Sequence, residues 1–192
     1  MRVLIVDPDA ARAALVAEGL AGVEPLEVRR ASVFHGDEAA AFEPDVIVVA
    51  LDSPDRDVID SLRDVTEANP RPVVMFVDRS EPGFGEAALR AGVSAYVVDG
   101  LSKARVRDVL EVAMTRFQLM SQLRDELAKA KADLASRKTI ERAKALIMQQ
   151  RGLDEPAAYA LLRRLSMETH RAMAVVAADL LALAGALKED GR

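Results

Sequence analysis

The chain has no cysteine. That excludes disulfides, thiolate metal centres and a cysteine nucleophile. It has two histidines, His35 and His170, far apart in sequence, which argues against a histidine-rich metal site. No apolar run approaches the roughly 20 residues of a membrane span. The N-terminus, MRVLIVDPDA, reaches an acid by Asp7 and has no signal-peptide apolar region. The expectation is a soluble cytoplasmic protein with no membrane partner. There is no nucleophile–base pair, no phosphate-cradling glycine loop and no metal-ligand spacing, so no enzyme is predicted. What is present is globular: 192 residues, 51% hydrophobic and 30% charged. That length allows one large domain, or an ordinary domain plus a small one.

The net charge of −5 hides an asymmetry. Residues 1–100 carry 9 basic and 19 acidic side chains, whereas residues 136–178 carry 8 basic and 4 acidic. Two units with different partners are expected. An acidic chain overall still leaves room for nucleic acid, because binding needs only a local basic surface.

The front half alternates strands and helices. Apolar, largely β-branched runs at 2–6, 45–50, 72–77 and 94–98, with an extended piece near 26–30, read as five strands. Helices are expected near 9–21, 36–42, 57–68 and 84–91. That pattern predicts a doubly wound parallel sheet, whose functional groups gather at the carboxyl ends of the strands. Those ends are acidic: Asp7 and Asp9, Asp52, Asp78 and Asp99. Asp7, Asp9 and Asp52 form a candidate pocket that could hold Mg²⁺. The plainer reading is that these aspartates are turn formers and N-caps.

Residues 1–115 resemble a response-regulator receiver domain of flavodoxin-type topology. The matching pieces are LIVDPD at 4–9, PDVIVVALDSP at 44–54, PVVMFV at 72–77 and AGVSAYVVDG at 91–100. The resemblance places the phosphoacceptor four residues before Pro54, at Ala50, which has no carboxylate. It places the hydroxyl residue at Val77 and the lysine at Asp99. Of the acidic pair, Asp7 matches and Pro8 does not. These departures imply a pseudo-receiver without phosphotransfer. A rival register makes Asp52 the acceptor and would keep a phospho-switch.

Leu101 to Arg151 contains neither glycine nor proline, and predicts nearly continuous helix. Within it, residues 116–136 form a linker. Met120, Leu123, Leu127, Ala130 and Leu134 make a heptad seam of about two heptads. The seam either packs on its own domain or pairs with a second chain or a partner helix.

The back segment, 137–188, predicts three short helices. Gly152 ends the first, Asp154 with Pro156 opens the second, and Thr169 caps a third that ends near Ala184. Inner stripes are Ile140, Ala143 and Ile147; Ala158, Leu161, Leu162 and Leu165; and Val175, Val176, Leu180 and Leu181. Outer faces carry Lys138, Arg142, Lys144, Arg163, Arg164 and Arg171, with Tyr159 beside Arg163. Cations for phosphates and a ring for an unstacked base suit RNA. Scattered charges on a solvated helix face give the same pattern, and so does a DNA-reading or protein-only regulator.

The motif IERAKALIM, a glycine turn, the AYALLRR helix and an Ala/Val-rich last helix resemble the ANTAR domain, an RNA-binding output module of antitermination regulators. With DSPDRD at 52–57, MFVDRSEP at 75–82 and AYVVDGLS at 95–102, the whole is similar to regulators of the NasT type. That resemblance implies binding of paired stem-loops in leader RNA to prevent termination, in nitrate and nitrite assimilation genes. It also implies control by a nitrate-sensing protein of the NasS type rather than by phosphate.

Overall fold

The computed structural model describes residues 1–23, 26–32 and 41–189. His35 and residues 36–40 of the predicted helix at 36–42 lie outside the described residues. The chain forms two compact units, Met1–Gln122 and Leu123–Arg192. Among the described residues, no single helix is long and apolar enough to cross a membrane.

The first unit is α/β. Its elements are β1 (Arg2–Val6), α1 (Ala10–Gly19), β2 (Glu27–Ala31), β3 (Val46–Leu51), α2 (Arg56–Ala68), β4 (Val73–Val77), α3 (Phe84–Arg90) and β5 (Ala95–Val98). The start of α4 (Lys103–Arg151) completes it. All strand pairs are parallel, in the order β2-β1-β3-β4-β5. The order reverses at β1 and β3, and that is where such sheets open a crevice.

Alternation along each strand sorts the core into two layers. Leu4, Val6, Ile47, Val49, Val73, Met75 and Val77 face Ile59 and Leu62 of α2 and Ala88 of α3. Val3, Ile5, Val46, Val48, Ala50, Val74 and Phe76 face Ala13 and Val16 of α1 and Val106, Leu110 and Ala113 of α4. Burial on both faces explains why β3 and β4 read as unbroken apolar runs.

The second unit is all-α: the C-terminal part of α4, then α5 (Glu155–Thr169) and α6 (Met173–Glu189). Ala143 and Ile147, Ala158 and Leu162, and Ala177 form its fully buried core. Gly152 adopts φ +63 and gives its N–H to the Met148 carbonyl at 2.9 Å, which stops α4. Asp154 caps α5 by accepting from the Ala157 N–H at 2.9 Å, with Pro156 in the first turn.

Two local expectations are corrected here. Thr169 does not cap the third helix. It is the last residue of α5, and its hydroxyl donates back to the Leu165 carbonyl at 2.7 Å. The chain turns at His170 instead, in the left-handed region at φ 52, and α6 runs from Met173 to Glu189. Val175 is exposed, and the inner stripe of α6 runs through Val176 and Ala177.

Candidate functional site

The second unit presents a basic and aromatic surface. Tyr159 and Arg163 lie one turn apart on α5, and Tyr159 is 46% exposed. With Ala160, Arg164, Met167 and Glu168 they line an open groove of about 480 Å³. Among the described residues, Arg163 has no ion-pair partner, and neither do the exposed Lys138 and Arg142 of α4. Arg164 sits 3.8 Å from Glu168, and Arg171 is 2.6 Å from Asp179. Both guanidinium groups remain largely in water, where such pairs hold weakly. An anionic strand meeting the α5 groove would find in Arg163 a cation whose charge is not already neutralised, beside an exposed ring.

Lys144 departs from the expectation of a surface cation. Its side chain is 9% exposed and lies between Glu141 at 2.8 Å and Glu155 at 2.7 Å. Hydrogen bonds to Glu141 and then Glu155 raise its pKa above the usual lysine value. The charge is satisfied inside the domain, where it ties α4 to α5.

The first unit carries an acidic edge with a cation in it. Asp7, directly after β1, is buried, and it accepts from Arg12 Nε at 2.8 Å on Oδ2 and from Nη2 at 2.9 Å on Oδ1. Nη1 of Arg12 donates to Asp52 and to Asp78, the latter at 3.0 Å. Asp7 raises the Arg12 pKa further, against the cost of burial, with Asp52 adding to it. In return, Arg12 holds the Asp52 carboxyl below the ordinary carboxylate range. Asp9 is not in this cluster. It caps α1, accepting from the N–H groups of Ala11 at 2.7 Å and Arg12 at 3.3 Å. Ala50 is fully buried in the core, and the next residue of its parity, Asp52, reaches the edge.

Residues 128–181 match the model of the ANTAR domain. The chain is 30% identical over 151 residues to the transcriptional regulatory protein PdtaR of Mycobacterium tuberculosis, covering 79% of this chain and 74% of PdtaR. The chain belongs to the PdtaR family of ANTAR-domain response regulators. NtrX from Brucella abortus superposes with a TM-score of 0.51 at 26% identity, over 74% of this regulator and 35% of NtrX. An orphan response regulator of H. pylori superposes with a TM-score of 0.50 at 16% identity, over 59% of this chain and 96% of that one. The second likeness supports the receiver fold alone.

Against the receiver pattern, the regulator's acidic edge does not suit a divalent cation. The guanidinium of Arg12 lies among the carboxylates, and both Asp7 oxygens already accept hydrogen bonds. Among the described residues, no three acidic or imidazole side chains are placed to hold a metal ion. The proposed trio of Asp7, Asp9 and Asp52 is therefore corrected: Asp9 leaves it, and Asp78 and Arg12 join it. Pattern reading overlooked Arg12, although a lone cation one turn beyond an acidic strand end is a readable signal. It also overlooked Met167 and Glu168, which share the groove with Tyr159.

Proposed function

We propose that this regulator is an RNA-binding antiterminator. Its ANTAR unit engages stem-loops in leader RNA, using Lys138, Arg142, Arg163, Arg164 and Arg171 for phosphates and Tyr159 to stack an unpaired base. The observation that carries this reading is the α5 groove, where an exposed ring adjoins an arginine without an ion-pair partner. Likeness to NasT-type regulators supports nitrate and nitrite assimilation genes as targets. The same likeness supports a NasS-type nitrate sensor as the controlling partner, in place of phosphorylation. Ala50 and the engagement of Asp52 by Arg12 favour control by sequestration.

The heptad seam supports a homodimer as the RNA-bound form. Leu119, Met120, Leu123, Leu127 and Leu134 are 47–58% exposed, so this stretch of α4 leaves its apolar stripe in water. With Met120, Leu127 and Leu134 at a and Leu123 and Ala130 at d, the e positions within the linker are Arg124 and Lys131. The g positions include Glu126 and Asp133. In a parallel pair, g of one copy meets e of the other, and the charges attract. In an antiparallel pair, e meets e and g meets g, and they repel. A second copy in parallel register is the occupant this pattern fits.

Transcription through a leader with paired stem-loops ahead of a terminator tests the function. The regulator is expected to raise readthrough, and Tyr159→Ala with Arg163→Ala to abolish the gain while the chain stays folded. Readthrough unaffected by the regulator, or equal with the double variant, overturns the reading.

A further inference from the structure

Three carboxylates from three strand ends meet at one guanidinium. Asp7 follows β1, Asp52 lies just beyond β3, and Asp78 just beyond β4. Like charges this close disfavour one another unless a cation stands between them. Here the cation belongs to the chain. Nε and Nη2 of Arg12 hold both oxygens of Asp7, and Nη1 reaches Asp52 and Asp78. The Arg12 side chain is 12% exposed and that of Asp7 is 0% exposed. A planar fork against a buried carboxylate is the geometry a guanidinium satisfies and an ammonium does not. A divalent ion needs several free oxygens in a regular shell. Asp7 has little left to offer, because both oxygens accept from Arg12 and its Oδ1 also accepts the Asp9 N–H at 2.8 Å.

We infer that Arg12 is a built-in counterion, standing where a dissolved divalent cation would otherwise neutralise this edge. It ties the segments after β1, β3 and β4 into one arrangement and leaves the domain indifferent to Mg²⁺. This holds whether or not the second unit binds RNA, since no residue of that unit takes part.

The test uses the full chain and its thermal midpoint in MgCl₂ against NaCl of equal ionic strength. The wild-type midpoint is expected to be the same in both salts. Arg12→Ala is expected to melt lower in NaCl and to recover part of the loss in MgCl₂. Adding Asp52→Asn to that variant is expected to remove the recovery. A wild-type midpoint raised by Mg²⁺ as much as that of Arg12→Ala overturns the inference. So does an Arg12→Ala midpoint equal to wild type, or a loss that Mg²⁺ leaves untouched, which would make Arg12 a packing residue. Should Arg12→Ala not fold in NaCl, Arg12→Lys carries the same comparison, with a smaller loss and a partial Mg²⁺ response expected.

Discussion

Lys138 and Lys144 stand on the same helix with the same charge, but only Lys138 faces water. Glu141 from its own helix and Glu155 from α5 hold Lys144 inside the domain. Because its pKa is raised above 10.5 in the folded chain, its contribution to stability is complete below that value. The contribution is lost only as pH rises through the raised value, so neutral and mildly alkaline solutions retain it. Lys144→Ala should therefore lower the thermal midpoint at neutral pH and leave the salt dependence of RNA binding unchanged. A lysine that contacts phosphate would instead reduce the salt slope by about one unit on removal. Thermal melts and a salt titration of the variant decide between the two roles. The sequence could not separate these lysines, since the distinction depends on a glutamate contributed by the next helix. Arg12 was legible in part, as a cation just beyond an acidic strand end, but its full set of partners was not. Which acids it reaches depends on where β3 and β4 end in space, and not on its neighbours in the chain.

Elements were more legible than single side chains. The strands announced themselves because both faces of β1, β3 and β4 are covered, which demands unbroken apolar runs. Asp9 and Asp154 were readable as caps, and each accepts a backbone N–H at the start of its helix, as Asp55 also does for α2. The turn before α6 was less legible, because His170 takes a left-handed conformation that a non-glycine residue adopts only in context. Along α4, the absence of glycine and proline announced the helix, and the structure runs it unbroken from Lys103 to Arg151. Its seam is short, so pairing should be concentration-dependent. Sedimentation should show a dimer that Leu123→Lys with Leu127→Lys converts to monomer. Lys131→Glu should weaken the dimer, and adding Glu126→Lys should restore it by exchanging the g and e charges. A monomer at all concentrations, or a double swap no better than the single, would remove the parallel pair.

At the scale of the whole molecule, the charge asymmetry follows the two units. The α/β unit holds most of the acid, and the ANTAR unit carries Lys138, Arg142 and Arg163, which among the described residues have no ion-pair partner. An acidic unit repels nucleic acid and leaves binding to the basic one. The deciding measurement is a titration of the full chain against an RNA with two short stem-loops, at several salt concentrations. Loop-scrambled RNA and duplex DNA of matched charge serve as controls. RNA antitermination predicts tighter binding to the intact loops at every salt, with the preference lost in Tyr159→Ala. Equal and steeply salt-dependent binding to all three nucleic acids would contradict it, because the basic face would then be an electrostatic surface without loop recognition.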